Sequence, residues 1–481
     1  MFKIIKKIRN NFIIQLCLLS ILFGIILRLY NLNFENLWND EIFTFWVTDP
    51  KITLKETFSR LNSSESIPAL YFFLIKNLHM LFGYSPDVGR YFSAFFGILS
   101  IFSIGYLSKK ISNNKSYLFT IFLISLNIFL ISYSQESRVY IFSFFLVSLN
   151  LIYFLKLHKE QFKKNFSLNF ILFNIFQILA ILSFPYAIII FLSILSFTVY
   201  EYIFFKKKNF KINISLFISF IFLCVYLPYY INTVPLAVNW LMQPDLKFYT
   251  NFYFTKFFGS RIMGLTHLIL LISFIMYFYK KIFYKNNYYI FLIIIIFLIY
   301  FLPILYGYIV QPAIHERYII FVLIPLIILL SSLIFEIKNK KLKSFFIIFF
   351  VVITFANHFT ESTFKQFFEK KDRYKPNFLQ TFKFIDNSKY KNVYFDLSEF
   401  NKDSKNFIFY PYKNYSNYLT SSNDIKINIL DKNRDLLNLK GFWSICLFGL
   451  NGCNFKHDEF IIVETKNFIK LTIRLYEKKI K

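Results

Sequence analysis

The residues able to do chemistry fall in four short clusters of an apolar chain. Leu37-Trp38-Asn39-Asp40-Glu41 comes first, then Arg90, then Ser134-Gln135-Glu136-Ser137-Arg138, then His315-Glu316-Arg317. Carboxylates combined with guanidinium groups suit one kind of reaction in particular. A carboxylate takes the proton of a hydroxyl as it attacks. Arginine or a metal ion stabilises the charge growing on a departing phosphate. Asp40, Glu41 and Glu136 are the candidate catalytic acids and bases, and Arg90, Arg138 and Arg317 the candidate phosphate-binding groups. Asp40 and Glu136 are also the candidate ligands of a divalent cation.

Each piece has a plainer reading. An Asp-Glu pair in a loop is commonly solvated. Trp38 and Trp46 suit an aromatic belt at a membrane interface. Arg90 and Arg317 suit lipid headgroups reached by snorkelling. Glu136 and Arg138, two apart, suit a pair with each other. His315 suits a structural role, His79 an interfacial one, and Lys76 a place facing water. What favours chemistry is the set, provided the elements between the clusters bring them to one face.

Those elements are apolar. The chain has 481 residues, of which 56% are apolar and 22% aromatic, with 69 Phe and 34 Tyr. Charged residues make up 17%, against about 25% in a soluble globular protein. The net charge is +28, but a nucleic-acid-binding domain does not carry this much Phe and Ile. A soluble enzyme and a disordered basic tail are disfavoured too. A polytopic membrane protein accounts for both numbers if the lysines lie in loops.

A spanning helix needs about 20 apolar residues. Such stretches lie near 12–30, 88–107, 117–133, 139–155, 168–184, 186–204, 212–230, 262–279, 288–308, 318–335 and 344–356, which predicts about 11 transmembrane helices. The first reads as an uncleaved anchor. Ile67–Gly83 is ambiguous, and the positive-inside rule decides it. Laid flat on the outer surface, it leaves segments 1–11, 108–116, 156–165, 205–211, 279–286 and 337–343 on one side, with 22 Lys/Arg. The N-terminus is then cytoplasmic and all four clusters face outward.

The division this predicts is a transmembrane domain over 1–356, with interfacial helices in its first outer loop at 31–87, and a small extracytoplasmic α/β domain over 357–481. The latter is rich in Asn, Asp, Lys and Ser and holds five strand-like runs: Asn392–Leu397, Asp424–Leu430, Phe442–Phe448, Phe460–Glu464 and Phe468–Tyr476. Cys446 and Cys453 flank a turn-forming run there, and a disulfide between them suits an oxidising compartment. Cys17 and Cys224 fall in spans and suit packing.

From Leu168 to Val199, Ile212 to Asn232 and Tyr288 to Ile314 no ionisable Asp, Glu, Lys, Arg or His occurs. Ion-coupled carriers keep such groups near the midplane, so a pump or secondary transporter is disfavoured.

The order of motifs resembles the GT-C glycosyltransferases, in particular the bacterial branch related to protein O-mannosyltransferases and to the lipid A aminoarabinose transferase. The pieces are Leu37–Thr44, Ile67–Gly83, Arg90–Gly97, Ser134–Tyr140, Phe184-Pro185-Tyr186 and Glu316-Arg317-Tyr318. The resemblance implies an inverting transfer of sugar from a polyprenyl-phosphate carrier, outside the cytoplasmic membrane. The acceptor would be a lipid-linked glycan, a lipopolysaccharide or a protein, and no nucleic acid is involved. It also implies that Asp40 is the base or metal-binding group and Glu136 the second acidic position. Ser66-Ile67-Pro68 and Ser183-Phe184-Pro185-Tyr186 lack the histidines common in relatives, which disfavours a His-bound metal and leaves a carboxylate-bound divalent cation open. The competing readings are a polysaccharide polymerase or ligase and a non-enzymatic flippase of lipid-linked glycans.

Overall fold

The computed structural model describes residues 12–62, 67–112, 115–160, 167–238, 241–285, 287–360, 375–397, 402–420, 425–430, 436–447 and 455–479. The chain divides into two compact units that interleave in sequence. Met1–Tyr30, Ser64–Leu74 and Gly89–Lys371 form the first; Asn31–Ser63, Ile75–Val88 and Asp372–Lys481 form the second.

The first unit is helical, as lipid requires of segments that must satisfy their own backbone groups. Among the described residues seven helices are long and apolar enough to cross a membrane: Phe12–Leu29, Pro86–Ile111, Tyr140–Lys159, Pro185–Phe205, Phe210–Ile231, Asn287–Ile309 and Lys340–Phe359. A pair, Ser116–Ser125 and Ile128–Ser134, bent by 56°, counts as an eighth if it is one broken span. Three of the eleven expected stretches are shorter apolar helices, Leu168–Ser183, Arg261–Tyr277 and Ile320–Glu336. At 1.5 Å per residue a 17-residue helix reaches only about 25 Å, short of the ~30 Å hydrocarbon core. The protein is therefore a mainly helical, polytopic membrane protein, with seven or up to eight candidate crossings among the described residues.

Close approach of backbones sets the packing near the second cluster. A Cβ added at Gly97 would lie 2.1 Å from Ser134 Oγ, and one at Gly89 would lie 1.9 Å from Ser137 Oγ. Only glycine lets the Pro86–Ile111 helix approach the bent pair this closely. The bend itself is sealed by side chains. Arg28, fully buried, donates to the carbonyls of Gly24 (2.9 Å), Ser125 (2.8 Å) and Ile124 (3.2 Å). His358 Nε2 reaches the Leu126 carbonyl at 2.7 Å, and Asn127 caps the second half by accepting from the Leu130 N–H at 3.0 Å. Two acids beside the lysine-rich loops are also tied: Glu201 pairs with His158 at 2.5 Å, and Glu336 pairs with Lys281.

The second unit is an α/β sheet of five strands in the order β2-β1-β3-β5-β4. β1 is Asn392–Asp396, β2 Lys426–Ile429, β3 Gly441–Leu447, β4 Phe460–Phe468 and β5 Leu471–Lys478. The β2, β1 and β3 strands run parallel, and β3, β5 and β4 antiparallel. All five strand-like runs read from the sequence are strands. The break between the last two falls later than expected, because Ile469-Lys470 makes the turn, with Lys470 at φ 53°.

β3 is buried along its whole length because apolar clusters cover both faces of the sheet. One joins Trp443, Ile445, Phe395 and Ile473 to Phe378 and Phe382 of the helix Phe378–Asp386. The other centres on Phe442, Phe460 and Tyr476. Leu37, Ile42 and Phe45 from the first loop belong to the first cluster, so this loop completes the core of the sheet domain. Cys446 is buried on β3 and disulfide-bonded; its expected partner Cys453 lies outside the described residues. Cys17 and Cys224 are free.

Candidate functional site

The first unit gathers two of the three candidate arginines around one ring. Ser134 ends the bent pair, Gln135 donates from Nε2 to the Leu27 carbonyl at 2.8 Å, and the Arg138 N–H turns back to the Glu136 carbonyl at 2.8 Å. This tight turn sends Arg138 over the face of Tyr140, with its guanidinium carbon 5.8 Å from the ring centre. Arg317 lies over the same ring at 5.7 Å and over Tyr318 at 5.4 Å.

The loop carrying Arg317 is held from below. The Tyr186 hydroxyl donates to the Ala313 carbonyl, and the Tyr253 hydroxyl to the Ile314 carbonyl at 3.4 Å. Tyr186 and Tyr318 meet at 5.4 Å between centroids, and Phe184 packs on Tyr140 at 5.5 Å. Glu136, Glu316 and Arg317 all act electrostatically on Tyr133, so groups of both clusters lie near that residue. His315 lies 3.3 Å from Glu316. Arg90 is buried, beside the glycine that packs on Ser137.

Sequence reasoning took Arg138 and Arg317 as phosphate ligands and left the tyrosines aside. The signal was present: the motifs Ser134–Tyr140, Phe184-Pro185-Tyr186 and Glu316-Arg317-Tyr318 each end in tyrosine, and those three tyrosines meet.

Asp40 and Glu41 belong to the second unit, on the nine-residue helix Asn39–Val47. Asp40 is half-buried in the first turn, where carboxylates suit the helix dipole. Its neighbour Glu41 is 1% exposed. The Glu41 carboxylate accepts from the Trp38 N–H at 3.0 Å and from Lys375 Nζ at 2.8 Å. Tyr412 donates its hydroxyl to Asn39 Oδ1. Burial, and after it the nearby Asp40 charge, push the Tyr412 phenol far above its ordinary pKa, so it stays a donor.

Lys76 does not face water as expected, and His79, expected at the interface, is buried within the protein. Both are buried, because the helix Leu70–Phe82 uses them to hold first-loop carbonyls. Lys76 Nζ donates to the carbonyls of Asp49 (2.6 Å) and Ile52 (2.7 Å), and the His79 ring lies 3.0 Å from the Thr48 carbonyl. Burial, the largest effect, lowers the pKa of both.

Among the described residues no group of three or more His, Cys, Asp or Glu side chains is arranged to hold a metal ion. Asp40 and Glu136, the candidate ligands, fall in different units. Ser66 lies outside the described residues.

No protein-family model and no curated protein sequence matches the chain. Solved structures do. The oligosaccharyltransferase of Archaeoglobus fulgidus, in complex with Zn and sulfate, aligns with a TM-score of 0.54 and 11% identity over 89% of this chain and 67% of that one. In its apo form it aligns at 0.54 and 12% identity, over 88% of this chain and 62% of that one, so this chain spans about two thirds of that protein. ArnT from Cupriavidus metallidurans aligns in the apo state with a TM-score of 0.58 and 10% identity, over 95% of this chain and 97% of that one. ArnT bound to undecaprenyl phosphate gives 0.52 at the same identity and coverage. At such identities the likeness is one of fold.

Proposed function

We propose that this chain, which has the GT-C fold of those proteins, is a membrane glycosyltransferase that takes sugar from a polyprenyl-phosphate carrier. The observation that carries the reading is the pair of guanidiniums, from motifs far apart in sequence, stacked over one tyrosine. Two guanidiniums brought from separate motifs to one ring make a cluster of the kind that binds an anion such as a lipid phosphate. The solved ArnT bound to undecaprenyl phosphate supports that ligand class.

In this reading Arg90, Arg138 and Arg317 hold the carrier phosphate. Asp40 takes the proton of the acceptor hydroxyl, and the attack inverts the anomeric centre. Glu136 orients the arginine beside it. The acceptor is a lipid-linked glycan, a lipopolysaccharide or a protein. The three shorter apolar helices count as crossings, giving eleven, with the N-terminus cytoplasmic and the sheet domain extracytoplasmic.

The test is covalent transfer of labelled sugar, from the polyprenyl-phosphate sugar extracted from native membranes, to a membrane acceptor. Wild type should transfer it, and Asp40→Asn, folded and inserted, should lose about 100-fold or more. Undiminished transfer by Asp40→Asn overturns the base assignment. Movement of the carrier between leaflets with no covalent transfer overturns the enzyme reading in favour of a flippase.

A further inference from the structure

The short helix bearing Asp40 cannot set its own geometry. Nine residues make two and a half turns, too few for a helix to be stable alone. Its orientation is imposed by the far end of the chain. Lys375 reaches the Glu41 carboxylate at 2.8 Å, and the Lys375 carbonyl accepts from Asn36 Nδ2 at 3.3 Å. Tyr412, on the helix Lys402–Leu419, donates to Asn39 Oδ1. One turn further on, the Tyr84 hydroxyl bridges the Phe45 carbonyl and Asn414 Oδ1, both at 2.8 Å. Phe45 also meets Tyr418 at 5.1 Å, and Ile42 and Phe45 are sealed in the sheet's core. The residues on either side of Asp40 are therefore both fastened to residues of the C-terminal segment.

We infer that Lys375 and Tyr412 are positioning residues for Asp40, and that Glu41 is their anchor rather than a proton-transfer group. The inference rests on Asp40 being the base. The Glu41 carboxylate is engaged by the backbone N–H that starts the helix and by a lysine. A carboxylate so engaged, and 1% exposed, is out of reach of a substrate hydroxyl. Asp40 lies between two tied neighbours, so its backbone position follows theirs. That is the situation in which a small backbone shift changes rate strongly, since a displacement of about 1 Å costs about 100-fold. The C-terminal segment thereby takes part in catalysis without touching the reacting atoms.

The experiment uses the full-length protein in lipid nanodiscs and the labelled polyprenyl-phosphate sugar from native membranes. Lys375→Met, which keeps the apolar stem, should lower kcat about 10- to 100-fold with the donor KM within about two-fold. Lys375→Arg should restore most of it, and Tyr412→Phe should lower kcat several-fold. Hydrogen exchange of the 40–44 amides should quicken about 10-fold in Lys375→Met and recover in Lys375→Arg. Wild-type kcat in both Lys375→Met and Tyr412→Phe, with Asp40→Asn inactive, overturns the positioning role and leaves the base assignment standing. If Asp40→Asn is fully active, the base assignment falls and the exchange data decide the anchoring. Unchanged exchange in Lys375→Met overturns the anchoring, and quickened exchange supports it.

Discussion

Arg28 in the helical unit and Glu41 in the sheet domain are both almost fully buried, whereas Arg138 and Arg317 are held in another manner. Arg28 donates to three carbonyls, and Glu41 accepts from a backbone N–H and a lysine. Arg138 and Arg317 lie over the neutral face of Tyr140. The difference teaches how to sort buried charges. A group whose partners are backbone or a fixed counter-charge holds architecture together. Two guanidiniums drawn from separate motifs to one ring form a cluster that an arriving anion can join.

The largest effect should come from breaking an architectural pair. Glu41→Ala leaves Lys375 without its counter-charge and the first helical turn without its cap, a change worth about 3–5 kcal/mol. Thermal unfolding followed at the sheet domain should fall by many degrees, while the helical unit's far-UV signal persists. Stability equal to wild type would show that Glu41 is not an anchor. Next is Arg28→Leu. It uncaps the Ile124 and Ser125 carbonyls at the bend, at about 1–3 kcal/mol for each buried acceptor left unsatisfied. Proteolysis within residues 116–134 should then speed up in detergent, and no change would remove Arg28 from the architectural class.

The opposite class should respond in binding and not in stability. Arg138→Ala and Arg317→Ala should each weaken binding of undecaprenyl phosphate about 10- to 100-fold, the worth of a charge-assisted hydrogen bond of about 1.5–3 kcal/mol. Their melting temperatures should stay near wild type. Tyr140→Leu removes the shared ring and should weaken the same binding less. If Arg138→Ala melts as early as Arg28→Leu, the distinction between the two classes of arginine collapses.

The sequence made some of this legible and concealed the rest for physical reasons. The five strands were readable because β-branched and aromatic residues alternate between polar turns. Arg138 and Arg317 stand out in the sequence as charges beside apolar spans, but the ring they share does not. The bend at residues 125–128 was not readable, since hydropathy records the length of an apolar run and not where its hydrogen-bond ladder breaks. Three spans came out as shorter helices for the same reason. The place of Leu37, Ile42 and Phe45 in the sheet's core was hidden as well. Their partners Phe378, Phe395 and Trp443 lie more than 300 residues away, and no local pattern encodes such a pairing. Lys375 was invisible on its own, one lysine among 55 Lys and Arg.

The smallest effect concerns pH, and it sharpens the account of the first loop as architecture. His79 is buried with Nδ1 3.0 Å from the Thr48 carbonyl and Nε2 3.1 Å from the Ser85 carbonyl. Burial, only partly opposed by these carbonyls, lowers its pKa below the ordinary 6.5. The folded domain therefore takes up the proton less readily than the unfolded chain. Above pH 6.5 both states are neutral and stability does not depend on this group. Below it the unfolded chain binds a proton that the fold rejects, so stability falls as pH drops toward the folded pKa. Melting of wild type should thus decline from pH 7 to pH 5, while His79→Gln, less stable at pH 7, should show a shallower decline. Parallel curves would mean that the two carbonyls offset the burial and that His79 holds the loop in either protonation state.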